Sequence, residues 1–440
     1  MSTAEAGPPL HDVIVIGAGW AGLAAAITLA DAGVRVAVVE ASQTLGGRAR
    51  RVDLHGAVLD NGQHLLLGAY RDTLRLIHRV HPGRPASDLY LRAPLCIDGP
   101  GPFRLRAARL PAPLHMLAAL LGARGCTVAE RFALVSALTA WKRNGWRAGA
   151  MATVAAMIAQ QPRSMIERLW SPLCLAALNT PIEAASAQAY LNVLRDSLAA
   201  NRGASDLVIP RIDLSSLFPD AAAAAIEATA GSVFRGARVR KITHDGPAPI
   251  VNAGALTLRG RAAIVATAPW QALPLLETLP FARAHCEQIA RYTYQPICTV
   301  YLRYEPGVRS ASPMLQLDGA PGQWLFDIDR SSAAASWIAV VISADGPHRE
   351  IPHDELARHV AAQLSRSVIA FAGASPTASK VIIERRATHA CTPGRAHPRA
   401  GAIGNGIYLA GDHTDPDYPG TLEAACRSGI RAANAVLERI

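Results

Sequence analysis

Lysine is almost absent from this chain of 440 residues, because it supplies three of the 44 basic residues, at Lys142, Lys241 and Lys380. The formal net charge is nevertheless +10. Such a charge suits nucleic acid, an anionic membrane surface, or solubility alone. No stretch combines clustered basic residues with aromatic ones, so we expect no nucleic-acid partner. Contact with an anionic membrane surface explains the positive charge better than nucleic-acid binding does.

Cysteine pairs of the CxxC type are missing, and no cysteine is grouped with histidines in a metal-binding pattern. The pattern predicts reduced, buried thiols in a cytosolic protein, and no metal site. Residues 1–12 lack the basic and apolar segments of a secretory signal, so export is not expected. The seven cysteines are Cys96, Cys126, Cys174, Cys286, Cys298, Cys391 and Cys426.

Long polar or low-complexity tracts are missing too. Half of the residues are apolar and 18% are charged, which is typical of a globular chain with an ample core. The length exceeds what one hydrophobic core usually supports, so two closely joined domains are expected.

Charged residues are absent from residues 13–30, a run long enough to cross a membrane. Glycines interrupt it at Gly17, Gly19 and Gly22, and this spacing favours a strand, a tight turn and a helix instead. A β-branched run, Val13-Ile14-Val15-Ile16, is typical of a strand covered on both faces. Helix formers follow over residues 21–32, and a second apolar strand is predicted over residues 34–39.

The strand, turn and helix carry the dinucleotide-binding fingerprint GxGxxG. Gly17 permits the turn, Gly19 lets backbone amides approach a pyrophosphate, and Gly22 lets helix and strand pack closely. The phosphates are then expected at the positive end of the helix. Glu40, at the end of the second strand, is placed to accept hydrogen bonds from a ribose diol.

Two further motifs favour FAD over NAD. Gly46-Gly47-Arg48 offers a second glycine pair for an extended diphosphate and an arginine to neutralise it. Near the other end of the chain, a predicted strand over residues 406–409 leads into Gly411-Asp412, whose carboxylate can hold ribitol hydroxyls. Thr421 then opens an amphipathic helix whose dipole favours an anionic reduced flavin.

The rest of the chain is predicted to supply a second domain. Residues 91–205 are rich in Ala and Leu and are interpreted as a helical insertion, within which the apolar residues 114–121 can lie on a membrane or pack in a core. Strands are predicted over residues 232–242, 263–267, 297–304 and 337–342, and a helix over 354–364. We expect an FAD-binding domain from residues 1–90, 206–275 and 396–440, and a substrate domain from residues 91–205 and 276–395.

Over nearly its whole length the sequence resembles the amine oxidase and phytoene desaturase superfamily of flavoproteins and, within it, the hydroxysqualene dehydroxylases of hopanoid synthesis. The resemblance rests on the segment from Val13 to Gly22, Gly46-Gly47-Arg48, Leu59-Asp60-Asn61-Gly62-Gln63-His64, Trp170-Ser171-Pro172-Leu173-Cys174, Leu178-Asn179-Thr180-Pro181, Ala410-Gly411-Asp412 and Tyr418-Pro419-Gly420-Thr421-Leu422-Glu423.

This resemblance implies an α/β fold with a glutathione-reductase-like FAD-binding Rossmann domain and a second domain of mixed sheet and helical insertion. It implies that reduced flavin removes the hydroxyl of hydroxysqualene, a long isoprenoid, to give squalene and water. Loss of an allylic hydroxyl needs a proton, a site that holds the resulting cation, and exclusion of water. Flavin contacts are also expected from Gly62, Gln63, Val239, Thr421 and Leu422.

Four side chains near the flavin motifs are candidates for the acid. His64 is favoured, Asp417 is second, and Asp60 and His413 remain open, while any of them can instead cap a loop. Tyr418 and Trp170 are candidates to line an apolar tunnel and hold a cation on their ring faces.

Three alternatives stay open. A carotenoid-type desaturase uses the same scaffold with oxidised flavin. An amine oxidase is disfavoured because none of the three lysines falls in the motifs. An isoprenoid-binding escort protein without redox chemistry is disfavoured by the intact Gly411-Asp412.

No second GxGxxG follows a strand, so electrons are expected from an external donor or a separate reductase. The expected location is the cytoplasm, with peripheral contact at the inner membrane.

Overall fold

The computed structural model describes residues 10–54, 57–246, 248–328 and 336–440. Most of the segment on which the secretory-signal prediction was made, residues 1–9, lies outside the described residues. In chain order the strands are β1 (Leu10–Ile16), β2 (Val36–Val39), β3 (Arg51–Leu54), β4 (Ala57–Asp60), β5 (Leu66–Leu67), β6 (Tyr90–Ala93), β7 (Cys96–Asp98), β8 (Arg104–Arg106), β9 (Leu207–Pro210), β10 (Ser232–Phe234), β11 (Lys241–Asp245), β12 (Ala248–Ala253), β13 (Leu256–Val265), β14 (Tyr294–Tyr304), β15 (Met314–Gln316), β16 (Trp324–Asp327), β17 (Ser336–Ser343), β18 (Ala378–His389), β19 (Gly401–Gly404) and β20 (Ile407–Leu409).

The α-helices are α1 (Trp20–Asp31), α2 (Arg71–Val80), α3 (Ala86–Leu89), α4 (Leu114–Leu121), α5 (Val128–Arg143), α6 (Val154–Ile158), α7 (Arg163–Met165), α8 (Ser171–Leu178), α9 (Ala187–Leu194), α10 (Leu214–Leu217), α11 (Pro219–Glu227), α12 (Pro269–Leu276), α13 (Arg283–Ala290), α14 (His353–Ser367) and α15 (Leu422–Leu437). Short π-helical turns cover Ile166–Trp170 and Arg195–Ala199, and a 3-10 turn covers Asp412–Thr414. None of the described helices is both long enough and apolar enough to span a bilayer.

A sheet with a parallel centre organises the nucleotide-binding motifs. Strands β10, β2, β1, β13 and β20 run parallel in that order, so their carboxyl ends meet at one edge of the sheet. Both faces of the sheet are covered, as the β-branched run predicts. Val13 and Val15 pack against α1 and α15, whereas Ile14 and Ile16 pack against α12 and α13.

A second sheet is antiparallel in the order β15, β16, β17, β14 and β18. One of its faces packs on α14, with Val300 and Val340 buried against Leu356 and Val360. Side chains of the opposite face, including Tyr301, join the core of the helical insertion. The helical insertion therefore covers this face of the second sheet and leaves space for a cavity between the two.

The elements of the opening motif follow the prediction: a strand, a turn and α1 occupy residues 10–31, and no transmembrane helix forms there. Strands also appear where strands were predicted in the second sheet, within β14 and β17. The helical insertion is helical as predicted, but it also contains β6, β7 and β8.

One predicted strand, over residues 232–242, is wrong. The chain leaves the sheet after β10 because Gly236 turns it with a φ of +71°, and a new strand, β11, begins only at Lys241. Val239 therefore lies in a loop. That loop is joined to the end of β2 by a hydrogen bond from the Ala237 amide to the Glu40 carbonyl, of 2.8 Å.

We propose the predicted division into an FAD-binding domain (residues 1–90, 206–275 and 396–440) and a substrate domain. Buried side chains from all three parts of the first domain, such as Leu23, Ile226 and Ala433, share one hydrophobic core. Most of the core of the helical insertion is shared instead with the second sheet.

Candidate active site

The two glycine turns near the start of the chain lie side by side at the carboxyl edge of the parallel sheet. Gly19 forms a parallel bridge with Gly46, and the Gly46 amide donates to the Ala18 carbonyl over 2.9 Å. A Cβ on Gly22 would stand 1.9 Å from the Gly17 carbonyl oxygen, so only glycine permits this packing. The sequence motif and the structure agree here on the physical role of Gly22.

The first turn of α1 is open for an anion. Gly19 is the N-cap residue and supplies no side-chain hydrogen bond, and the first turn contains no acidic residue. A Cβ on Gly19 would have the Gly47 Cα, at 4.0 Å, as its nearest contact. Free amides at a helix start bind phosphate groups, so this turn suits a diphosphate.

Glu40 follows β2 at the same edge, but its carboxylate already closes the glycine turn. Oε2 accepts the Ala18 amide at 2.7 Å, and Oε1 accepts the Ser42 amide at 2.8 Å. Each oxygen keeps another lone pair for a hydroxyl donor. Val239 is half-buried in the loop that packs beside Glu40.

Arg48 joins the beginning of the chain to its end. Its guanidinium binds the Asp412 carboxylate at 2.6 Å, although the two residues are 364 positions apart, and it also donates to the Ala387 carbonyl at 2.8 Å. Burial alone would raise the pKa of Asp412, but the charge of Arg48 together with the neighbouring His413 and His389 outweighs burial and holds that pKa well below its ordinary range. The sequence analysis predicted that Arg48 neutralises a diphosphate at the glycine turns. In the structure its guanidinium instead neutralises the buried Asp412 carboxylate.

The start of α15 faces the same region. The Thr421 hydroxyl caps the helix by accepting the Ala424 amide at 3.1 Å, and Gly420, Thr421 and Leu422 line a cavity. Helix α15 packs tightly on α1, because a Cβ on Gly429 would lie 2.1 Å from the Ala21 carbonyl oxygen. The two ends of the chain therefore form one structural unit.

A cavity extends from this unit between the second sheet and the helical insertion. Its volume is about 300 Å³, which lies at the lower end of the range of about 300–1,000 Å³ that is usual for ligand sites. Most of the lining is apolar, including Leu65, Leu95, Ile97, Leu105, Met116, Leu120, Leu138, Leu169, Leu173, Ile297, Met314, Trp324, Phe326 and Val341.

Polar side chains gather at the end of the cavity next to Arg48. Asn61 donates to Glu384 at 3.0 Å and to the Arg48 carbonyl at 3.3 Å. Asn179, whose φ of +47° ends α8, donates to the Thr388 hydroxyl at 3.0 Å. Among the described residues, Glu384 is the one acidic side chain that lines the cavity, and no lysine lines it.

His64 lines the cavity, as do Gly62 and Gln63 of the same motif. Burial, reinforced by the charge of Arg48, lowers the pKa of His64 to about 4. The imidazole is therefore neutral at pH 7. A neutral imidazole can hydrogen-bond to a substrate hydroxyl. It lacks the second ring proton that a general acid would transfer.

The other predicted acids do not reach the cavity lining in the described structure. Asp60 accepts the Leu214 amide at 2.9 Å, and burial raises its pKa to about 7. Asp417 is exposed; its backbone carbonyl accepts from Asn192 at 2.9 Å, and its amide donates to the Asp415 carboxylate at 3.0 Å. His413 is fully buried, with its Nδ1 3.9 Å from Asp412.

Tyr418 and Trp170 both line the cavity. The Tyr418 hydroxyl donates to Asp196, and the Arg427 guanidinium lies 4.3 Å from the ring centroid. Burial raises the pKa of Tyr418 well above its ordinary value, and the bond to Asp196 adds to the shift. Trp170 is buried, and its ring contacts Trp141 edge to face. It therefore packs in the core and also forms part of the cavity wall.

The sequence reasoning missed Glu384, because β18 was not predicted. A signal was present, since this glutamate directly follows the apolar run Val381-Ile382-Ile383. A charged residue next to a strand-like run is expected to face either solvent or a cavity. Only the position of the helical insertion decides which of these two environments surrounds Glu384.

Comparisons with known proteins agree with this architecture. The family model for flavin-containing amine oxidoreductases matches residues 20–437. A hydroxysqualene dehydroxylase of Rhodopseudomonas palustris is 31% identical over 97% of this chain and 98% of that protein. A hydroxysqualene dehydroxylase of Zymomonas mobilis is 26% identical over 96% and 98%, and a probable zeta-carotene desaturase of Synechococcus elongatus is 25% identical over 97% and 98%.

Solved structures share the fold at low sequence identity. Cyclohexylamine oxidase of Brevibacterium oxydans superposes with a TM-score of 0.72 at 20% identity, over 98% of this chain and 99% of that one. A putrescine oxidase variant reaches a TM-score of 0.75 at 17% identity over the same shares. The mixed α/β fold is therefore that of flavin-dependent amine oxidases, and the chain belongs to the flavin-containing amine oxidoreductase family as an FAD-dependent oxidoreductase.

Proposed function

We propose that this enzyme removes the hydroxyl of hydroxysqualene and releases squalene and water. The observation that carries the proposal is a cavity with a polar end beside Arg48 and Glu384 and an otherwise apolar lining. A long hydrocarbon with one hydroxyl matches that distribution, because each buried polar group needs a partner while the chain needs none. Full-length similarity to hydroxysqualene dehydroxylases supports the same choice.

The described residues fit an FAD molecule in a glutathione-reductase-like Rossmann arrangement. We infer that Gly17, Gly19, Gly22 and Gly47 leave backbone room for the pyrophosphate, that Glu40 binds the ribose, and that Val239 borders the adenosine half. Asp412 and Gly411 are placed for the ribitol, and Arg48, Gly62, Gln63, Thr421 and Leu422 for the isoalloxazine end, where the cavity begins. When bound and reduced, FAD supplies the hydride.

The protein's own residues then manage the hydroxyl. We infer that His64, neutral at pH 7, orients it, and that Glu384 gives it a proton, so that the carbon–oxygen bond breaks and water leaves. The reaction balances with this proton and with the hydride that a bound, reduced flavin would supply to the carbon. The ring face of Tyr418 opposite Arg427 can hold the allylic cation.

Asp417, Asp60 and His413 are not carried forward as acids. Asp417 faces solvent, and neither Asp60 nor His413 lines the cavity in the described structure. Asp60 instead fixes the start of α10 by accepting the Leu214 amide.

A test of the proposed function is anaerobic incubation of the FAD-loaded, reduced protein with hydroxysqualene. We expect one squalene for each reduced flavin, together with the return of the oxidised flavin spectrum. No squalene, combined with desaturation of phytoene by the oxidised protein, would instead support the carotenoid desaturase alternative. Oxidation of simple amines would support an amine oxidase, which the apolar lining disfavours.

We also propose that electrons come from an external donor or reductase and that the protein works in the cytoplasm at the inner membrane surface. The electron proposal rests on the sequence, which has no second GxGxxG after a strand. Rapid anaerobic reduction of the bound flavin by NADPH alone would contradict it.

A further inference from the structure

Exposed apolar side chains are concentrated in one part of the molecule. Of the ten large apolar side chains that are exposed in the described chain, seven lie within residues 110–151. Leu114, Leu117 and Leu121 recur at intervals of three and four residues, which places them on one stripe along α4, and Leu110 is exposed in the segment before the helix. Contiguous apolar surface of this kind marks an interaction site in a soluble protein.

Helix α5 extends the stripe into a face. It packs against α4, and its Val128 and Phe132, one turn apart, are 67% and 63% exposed. We call the exposed side of residues 110–132 the α4–α5 face. The described residues of this pair show nothing packed over it.

Positive charge surrounds the α4–α5 face. Residues 109–147 contain six basic residues and one acidic residue, so this short segment supplies half of the net charge of +10. Arg109, Arg124, Arg143 and Arg147 are exposed. The acid, Glu130, is engaged by the Thr127 amide and the Ser164 hydroxyl. Apolar side chains among arginines match an anionic lipid surface better than a protein surface, because lipid headgroups and acyl chains meet both at once.

The same two helices form a wall of the cavity. Met116 and Leu120, buried on the side of α4 next to the exposed stripe, line the cavity, and so does Leu138 of α5. Helix α4 therefore contributes both to the α4–α5 face and to the wall of the apolar interior.

We propose that the α4–α5 face docks on an anionic bilayer and that the isoprenoid substrate enters the cavity beside α4 directly from the lipid. Docking on the bilayer is inferred from the exposed residues and the charges, whereas substrate entry from the lipid rests on the proposed function. An apolar substrate then crosses from lipid to an apolar cavity without exposing its chain to water, which would be costly.

The test is vesicle flotation of the FAD-loaded full-length protein, with phosphatidylcholine vesicles compared with vesicles that also contain phosphatidylglycerol. We expect binding to the anionic vesicles. The triple variant Leu114→Ser, Leu117→Ser, Phe132→Ser should bind them at least about tenfold more weakly. Replacing Arg109, Arg124 and Arg143 by glutamine should cost about fivefold per arginine, on anionic vesicles only. Ile369→Ser, at a 95% exposed position outside the face, is the matched control and should bind as the wild type does.

Turnover is then measured with substrate dispersed in detergent and with substrate embedded in vesicles. We expect the triple variant to lose activity only on the embedded substrate. Equal vesicle binding by the triple variant and the wild type would overturn the docking surface, as would a dimer joined through this face that binds no vesicles. Equal turnover of embedded substrate would overturn the entry route. Vesicle binding with no squalene formed in either format would instead contradict the proposed function alone.

Discussion

Glu384 is the residue at which the proposed chemistry is most sharply testable. Its carboxylate is held by the Asn61 amide at 3.0 Å, at the polar end of a mostly apolar cavity. A glutamine in its place keeps the volume and an oxygen that accepts from Asn61, but it cannot give up a proton. The substitution therefore separates proton transfer from the architecture of the site.

We expect Glu384→Gln to lower kcat by about 10²–10⁴-fold with little change in KM or in FAD affinity. Steady-state kinetics measure kcat and KM, and a flavin titration measures FAD affinity, with Glu350→Gln, at an exposed position, as the control. Wild-type kcat in Glu384→Gln would remove this glutamate from the mechanism.

Asp60 contributes to stability in a pH-dependent way. Its ordinary pKa is 3.8, whereas burial raises it to about 7 in the folded protein. The folded state therefore binds more protons than the unfolded state between these values, and the free energy of unfolding falls as the pH rises through this window. Above it, the charged Asp60 carboxylate costs up to about 4 kcal/mol.

Asp60→Asn keeps the oxygen that accepts the Leu214 amide and removes the charge. We expect the variant to be more stable than the wild type at pH 8 and nearly equal to it at pH 4, measured by denaturant unfolding. Glu305→Gln, at an exposed position, should show no such crossover. A wild-type pH dependence in Asp60→Asn would show that another group is responsible.

At the scale of elements, the packing of α1 on α15 depends on a close backbone approach at Gly429. A Cβ on Gly429 would meet the Ala21 carbonyl oxygen at 2.1 Å, whereas a Cβ on Gly19 would have no contact nearer than 4.0 Å, to Gly47. The two glycines are thus required for different reasons. Gly429 is needed for helix packing, and Gly19 for the approach of a ligand.

Replacing each glycine by alanine should separate the two reasons. In a free helix Gly→Ala stabilises by about 1 kcal/mol, yet we expect Gly429→Ala to destabilise the protein by about 1–3 kcal/mol, because the new methyl group meets backbone. Gly19→Ala should leave unfolding of the FAD-free protein unchanged and weaken FAD binding. Denaturant unfolding and a flavin titration measure the two effects, and the reverse assignment would contradict the packing described for α1.

For the whole molecule, FAD is expected to couple segments that are far apart in sequence. Strands β1 and β20 end at the same sheet edge, and Arg48 binds Asp412 there. A ligand that contacts both segments binds the folded state alone. At free FAD a hundredfold above its Kd, we therefore expect about 2.7 kcal/mol of added stability.

Thermal unfolding with and without added FAD checks this coupling, and Gly19→Ala should show a smaller shift at the same FAD concentration. An unfolding temperature that does not respond to FAD in the wild type would contradict binding between the two segments.

Local sequence patterns were sufficient to predict a helix or strand where the whole pattern lies within that element or the turn next to it. The glycine spacing at Gly17, Gly19 and Gly22 specified a strand, a turn and a helix, since Gly17 turns the chain with a φ of +103° and Gly22 packs on the Gly17 carbonyl. The amphipathic period after Thr421 specified α15 and its cap in the same way. Residues 232–242 were predicted wrongly, because the positive φ of Gly236 interrupts a run that otherwise reads as strand.

The sequence by itself determined the family and the elements that carry the glycine motifs, because these depend on short-range backbone geometry. Only the tertiary structure decided which side chains reach the cavity: Glu384 does, while Asp417 faces solvent and Asp60 and His413 are held elsewhere. Which residues of α4 line the cavity and which are exposed was likewise decided by packing. The physical reason is that burial and pKa depend on neighbours from distant parts of the chain, as Arg48 shows for Asp412 and His64.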